Sequence, residues 1–190
     1  MLSPFMAPVI GNNSACAMEE DQQTREYVSD FVIYLKVEPY LAQWLYNHYG
    51  NPVVFPKNST ENDIIELGLV TKKIAKKEEE EPDLPGEGKI AISLPYFKFT
   101  EVRNRFHLLK KSKESLLVCI RARFALELWT ELFKFRNRKE MKQEIIWVWM
   151  EKHGIDMTES NWNVIAKIFD RKKSVYRKDQ WRKNQKKSKK

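Results

Sequence analysis

Basic residues are concentrated at the end of the chain. Between Lys167 and Lys190, twelve Lys or Arg side chains are opposed only by Asp170 and Asp179, a net charge of +10. The whole chain carries +8, so the remainder is slightly acidic. Cationic side chains neutralise phosphates and release counterions from nucleic acid. A charge excess confined to one segment therefore predicts a local polyanion-binding site.

In the last 30 residues of the chain, residue type predicts two kinds of contact with nucleic acid. The cationic residues are expected to contact phosphate: Arg171, Lys172, Lys173, Arg177, Lys178, Arg182 and Lys183. Three residues that lie before the phosphate contacts are expected to face base edges: Asn161, Asn163 and Lys167. Tyr176 and Trp181 could stack on bases or pack on the sugar backbone.

Two helices are predicted to position these side chains. The first runs from Lys139 to His153 and ends at Gly154, and Asp156 and Glu159 have the spacing of a capping box that begins the second. This arrangement is compatible with a helix-turn-helix, whose second helix enters the major groove. The alternative is a helical hairpin with a solvated basic tail, and beyond residue 181 we expect fraying.

Hydrophobic periodicity predicts the faces of the C-terminal helices. A long helix capped by Ser112 or Ser115 precedes the pair, and its apolar stripe is Leu116, Ile120, Phe124, Leu128 and Leu132. The next helix is expected to turn inward Met141, Ile145, Val148 and Trp149. The final helix is expected to bury Trp162, Ile165, Ala166 and Phe169.

The N-terminal half alternates predicted strands and helices. Apolar alternation predicts strands over 27–37 and 89–95, with a short one at 53–55. Pro39 begins one helix that Gly50 ends, and Ser59 or Thr60 caps another.

Together these elements predict an α+β fold. It has a small N-terminal β/α part and a C-terminal helical part with a possible helix-turn-helix. The boundaries are a flexible tail at 1–26, the β/α part at 27–98 with a charged linker at 71–88, the helical part at 99–180 and a basic tail at 181–190.

The residues that could carry catalysis or bind a metal are scattered along the sequence. His48, His107 and His153 are far apart, without metal-ligand spacing, and Glu61, Asp63 and Glu66 are expected on the solvent face of their helix. Tyr176 lies among arginines, as does the nucleophile of DNA strand-transfer enzymes, but no separate His/Arg array accompanies it. We therefore expect no enzyme, metal or cofactor.

Two other charged segments have competing interpretations. Lys98 to Arg123 carries a net +6 with interleaved aromatics, so it is a second phosphate-contact candidate or, as we favour, a solvated helix face beside core phenylalanines. The acidic run Glu78–Glu81 is expected to be solvated linker.

Two sequence features indicate the cellular compartment of the protein. Cys16 and Cys119 suggest no disulfide framework, and no apolar run reaches the length that spans a bilayer. The first residues end in Ala15-Cys16-Ala17, like a cleavage site, but lack a basic start. We expect a cytoplasmic protein without membrane contact.

Several short motifs resemble proteins carried by phages and mobile elements of Bacteroidetes-type bacteria. They are Tyr40-Leu41, Tyr49-Gly50-Asn51-Pro52, Ile90-x-Ile92 and His153-Gly154-Ile155, with Lys167, Arg171 and Tyr176 downstream. The resemblance covers about residues 27–178. It implies a DNA-associated, mobile-element context and supplies no catalytic residues.

The sequence as a whole favours a nucleic-acid-binding accessory or regulatory protein whose partner is double-stranded DNA. RNA ranks lower, because the β-rich half lacks the aromatic sheet pattern of common single-strand modules. The rival is a non-enzymatic assembly subunit, with homo-oligomerisation open, in which the apolar run Trp147–Met150 belongs to an interface.

Overall fold

A computed structural model of the protein describes residues 32–70, 85–94, 107–138 and 141–187. The described chain is α+β, as predicted, with short strands towards its N-terminal side and helices dominating the rest. The strands are β1 (Val32–Lys36), β2 (Leu69–Val70), β3 (Lys89–Ser93) and β4 (His107–Leu108). The helices are α1 (Pro39–Tyr49), α2 (Thr60–Gly68), α3 (Lys110–Leu132), α4 (Lys142–Lys152) and α5 (Glu159–Lys187).

The four strands form two antiparallel pairs. β1 pairs with β3 so that Ile33 lies opposite Ile92 and Leu35 opposite Ile90, and these four side chains are buried on one face. β2 pairs with β4, a strand that the sequence did not predict. The short strand predicted around Val53 is wrong, because only a single bridge joins Val53 to Ile92.

The first two helices begin and end where local chemistry predicts. Pro39 is the first residue of α1, and Gly50 after its end has a φ of 78°. The Ser59 hydroxyl accepts a hydrogen bond from the Asn62 backbone N–H (3.2 Å) and caps α2. Glu61 was wrongly placed on the solvent face of α2: its side chain is fully buried.

Helix α3 begins earlier than predicted, without a side-chain cap. Its N-cap is Leu109, while Ser115 lies inside the helix and donates its hydroxyl to the Lys111 carbonyl (2.9 Å). The end of α2 passes so close that a Cβ on Gly68 would lie 2.5 Å from the Ser112 Cβ. Packing against α2, rather than a capping serine, therefore accompanies the start of this helix.

The core joins both parts of the chain through one cluster of buried side chains. The predicted α3 stripe from Leu116 to Leu132 is buried. At its middle, the Phe124 ring makes edge contacts with Tyr40 (5.2 Å between centroids), Trp44 (5.5 Å) and Trp149 (5.4 Å). Three helices, α1, α3 and α4, thus meet around one phenylalanine.

The inward face of α4 differs from the predicted one. Ile146, Trp149 and Met150 are buried, whereas Val148 is 64% exposed and Met141 is 39% exposed. The apolar run in α4 surrounds the helix, so its sequence held no periodicity that could choose the face.

Several predictions fall outside the described residues. They are the tail at 1–26, the strand before Val32, most of the charged linker with its acidic run, and Lys98 to Phe106 of the second basic segment. The described end of the linker, residues 85–88, is exposed.

Candidate nucleic-acid interface

The turn before α5 is capped by a residue other than the one predicted. The Thr158 hydroxyl accepts from the Asn161 backbone N–H (3.3 Å). Asp156 instead pairs with Gln43 of α1, whose side-chain oxygen accepts from the Asp156 backbone N–H (3.0 Å). The capping box predicted from Asp156 and Glu159 is therefore wrong.

The inner face of α5 packs on the rest of the described protein, which we call the body. Ile165, Ala166 and Phe169 are buried as predicted, and Trp162 is partly buried. Further along the helix, the Tyr176 ring contacts Trp129 (5.7 Å between centroids) and Phe133 (5.2 Å) of the body.

Two predicted contact residues face this inner side. Asn161 is buried and its side-chain amide donates to the Asp156 carbonyl (3.0 Å), so it cannot reach a base edge. The Tyr176 ring makes a tilted contact with Trp129 and an edge contact with Phe133, and the side chain is partly exposed. Both side chains hold α5 to the body. The Asn161 contact prediction is therefore wrong, whereas that of the partly exposed Tyr176 stays a prediction.

The outer face of α5 carries a cationic stripe. Lys167, Arg171, Lys178 and Arg182 are all exposed. Their spacing of i, i+4, i+11 and i+15 places them within about 60° of each other around the helix, opposite the buried face. We call these four residues the basic stripe; it extends about 22 Å along the helix axis.

The end of α5 remains helical beyond the predicted boundary. Fraying was expected beyond Trp181, but the helix continues to Lys187. Residues 181–186 are exposed, and the Trp181 side chain is 64% exposed. The last turns therefore extend the charged face past the part of the helix that packs on the body.

The other predicted contact residues lie on the flanks of α5 or near its tip. Asn163 and Lys183 are exposed, whereas Lys172 and Lys173 are half-buried. Lys173 and Arg177 line a cleft of about 400 Å³ at the end of α3. Its other cationic lining residues are Arg136, Arg138 and Lys142.

This cleft adds residues that the sequence analysis missed. Arg136 lies over the Phe133 ring (3.9 Å to the centroid), and Lys142 pairs with Asp170 (2.7 Å). The basic run between α3 and α4 was visible in the sequence, but its position beside α5 depends on the chain reversing direction after α3.

The second basic segment does not join this surface through its described arginines. Arg121 pairs with Glu38, and Arg123 makes a two-pronged ion pair with the buried Glu61. Lys110 begins α3, and Leu132 at the other end lines the cleft, about 33 Å away along the helix. Arg121 is exposed, as expected for a solvated helix face, whereas Arg123 is not purely solvated because it pairs with a buried carboxylate. The core role predicted for Phe97, Phe99 and Phe106 lies outside the described residues.

Helices α4 and α5 are in contact, as a helix-turn-helix requires. The Trp147 and Trp162 rings lie 6.4 Å apart, and the Trp162 indole N–H donates to the Gln143 carbonyl (3.4 Å). Packing of this kind also occurs in ordinary helical hairpins, so the helix-turn-helix stays a prediction.

Comparison with protein-family models, curated proteins and solved structures gives no match for this chain. The resemblance to phage and mobile-element proteins accordingly stays a prediction. Within the described ranges, no helix is both long and apolar enough to cross a membrane.

Proposed function

We propose that this protein binds double-stranded DNA through α5, as an accessory or regulatory factor. The observation that carries the proposal is the basic stripe, four exposed cations aligned on a helix whose opposite face is in the core. Because Lys167 aligns with Arg171, Lys178 and Arg182 on the stripe, we assign it to phosphate with them rather than to a base edge. The cationic cleft beside Lys173 and Arg177 supplies flanking contacts.

The attachment of α5 favours binding by a preformed surface. Phe169 and Tyr176 hold the helix against the body, so the basic stripe is arranged before DNA arrives. A disordered basic tail would have to lose conformational entropy on binding, which a fixed helix avoids. Asn163 is exposed on α5 and remains the candidate for base contact.

The test is the salt dependence of DNA affinity. We would measure fluorescence anisotropy of a labelled 20-base-pair duplex between about 50 and 200 mM salt, a range in which phosphate-binding proteins lose affinity steeply. Replacing Lys167, Arg171 and Lys178 with Ala removes three phosphate contacts. The slope of log K against log salt should become shallower by about 2.7, at 0.9 per contact.

A matched control removes the same charge from other surfaces. Lys36, Lys57 and Lys111 are exposed on β1, the loop before α2 and the start of α3. Their triple Ala variant should keep the wild-type slope. Equal slopes for wild type and the α5 variant, or no duplex binding at low salt, would overturn the proposal. Tighter binding of an RNA of the same length would overturn its choice of DNA.

A further inference from the structure

Two histidines that are 105 residues apart in sequence meet in the fold. His48 is near the end of α1, and His153 follows the last residue of α4. Their rings are parallel, with centroids 5.2 Å apart, and Glu127 of α3 lies between their nitrogens. The expectation that each histidine is isolated is therefore wrong for these two.

The turn that holds His153 is built by local chemistry. Gly154 has a φ of 64°, and the Ile155 N–H donates to the Met150 carbonyl (2.9 Å), which ends α4 in a left-handed cap. The Gln43–Asp156 pairing docks this turn against α1. The His153 side chain is 4% exposed and so is held firmly.

The hydrogen bonds around His48 decide which of its nitrogens is a donor. Nδ1 lies 3.0 Å from the Trp44 carbonyl oxygen, which can only accept, so Nδ1 carries a proton. In the neutral ring, Nε2 then has a lone pair, and it faces the Glu127 carboxylate at 2.9 Å. Two acceptors in contact need a cation or a proton between them.

His153 is in the same situation between two carboxylates. Its Nε2 lies 3.1 Å from Glu131 and its Nδ1 lies 3.3 Å from Glu127. When Nε2 carries the proton, its N–H donates a hydrogen bond to Glu131, and the Nδ1 lone pair faces Glu127.

We propose that His48, Glu127 and His153 form a binding site for a divalent transition-metal ion, with Zn²⁺ the best match. Their ligand atoms lie within 4.8 Å of one another. Ligands of a tetrahedral zinc ion are roughly 3.3 Å apart at bond lengths of about 2.0–2.1 Å. Two imidazoles and one carboxylate are a zinc donor set that leaves a fourth position for water.

Hydrogen bonds from the other ring nitrogens of the two histidines complete the site in the way metal sites require. Each ligating histidine gives its other N–H to an acceptor, His48 to Trp44 and His153 to Glu131. Lys152 holds the Glu131 carboxylate (2.8 Å). Because the rings are parallel, we expect the more exposed His48 ring to turn slightly on binding while His153 stays fixed.

The ion would join α1, α3 and the end of α4. Metal binding should therefore stabilise the folded chain, since ligand binding to the native state alone raises its free energy of unfolding. This stabilisation by metal is independent of DNA binding, because none of the three ligands belongs to the basic stripe or to the cleft beside it.

The test is zinc titration of the full chain after removal of metal with a chelator. Competition with a chromogenic chelator should give one Zn²⁺ per chain, and Co²⁺ should give the visible absorption of a four-coordinate site. His48→Gln and Glu127→Gln should each weaken zinc binding at least tenfold. His107→Gln, which changes the remaining histidine in β4, should leave it unchanged.

A second measurement separates ligand loss from misfolding. The far-UV spectrum of each metal-free variant should match that of wild type, and one fixed zinc concentration should raise the melting temperature of wild type and His107→Gln more than that of His48→Gln or Glu127→Gln. Glu131→Gln keeps all three ligands and should lower affinity about 10- to 100-fold. Absence of 1:1 binding, or equal affinity in folded His48→Gln, would overturn the proposal.

Discussion

Glu61 and Arg123 form an ion pair, and removing Arg123 should destabilise the protein more than removing Glu61. Arg123 donates to both carboxylate oxygens of Glu61. The Glu61 side chain is 0% exposed, whereas that of Arg123 is 37% exposed. Hydrogen bonding to Glu61 raises the pKa of Arg123 although burial opposes this, so the guanidinium stays charged.

The magnitude follows from what each substitution leaves behind. Arg123→Gln leaves a fully buried carboxylate that still accepts from the Cys119 thiol (3.5 Å) but has lost its cation, and an uncompensated buried charge costs about 3–5 kcal/mol. Glu61→Gln leaves a guanidinium that water still reaches, so the loss is that of charged hydrogen bonds, about 1.5–3 kcal/mol, reduced by solvent screening.

Helix α3 provides a matched control two residues away. Arg121 also pairs with a glutamate, Glu38, but both side chains are at the surface, with 47% and 36% exposure. Arg121→Gln should therefore change the free energy of unfolding by less than about 1 kcal/mol.

The assay is urea denaturation of the four proteins, with the slopes compared to ensure that the same transition is measured. The expected order of destabilisation is Arg123→Gln, then Glu61→Gln, then Arg121→Gln. Equal effects of the two arginine substitutions, or a larger effect of Glu61→Gln than of Arg123→Gln, would refute the reasoning.

Two further predictions concern α5 and the cysteine on α3. Thr158→Ala removes the cap of α5 and should destabilise the protein by about 1 kcal/mol in the same urea assay, while the exposed Ser160→Ala should have almost no effect; equal effects would contradict the capping assignment. Burial, with a further contribution from the Glu61 carboxylate, raises the pKa of the Cys119 thiol. Alkylation of Cys119 at pH 8, measured in a Cys16→Ser background, should therefore be several-fold slower in the native protein than in urea. Equal rates in the two conditions would show that the thiol is not protected.

Local patterns predicted most of the fold. Pro39 and Ser59 begin their helices as expected, and the regular spacing from Leu116 to Leu132 identified the buried face of α3. Where the pattern was ambiguous, prediction failed: the run around Val148 is apolar on every side, and only contact with Phe124 and α5 decides its orientation.

The candidate sites depended more heavily on contacts between distant residues. The charge of α5 was visible in the sequence, but Tyr176 faces the body because it contacts Trp129 and Phe133, which are distant in sequence. The Asn161 partner, Asp156, is only five residues away, but the sequence analysis had assigned Asp156 to a capping box instead. The approach of His48 to His153 depends on α1 packing beside the end of α4. Sequence spacing could not indicate it, because no short-range motif links those two residues.

The continuous helical path of α5 fixes the angular phase of its charges. Lys167 and Arg171 lie on one side of the contact at Tyr176, and Lys178 and Arg182 lie on the other. One residue inserted after Arg177 would leave the Tyr176 contact intact but rotate the distal pair by about 100°. Four inserted residues would nearly restore the alignment, with the two pairs about 6 Å further apart. Any partner that contacts both pairs must therefore match a set angle as well as a set distance, which a flexible run of the same lysines and arginines would not demand.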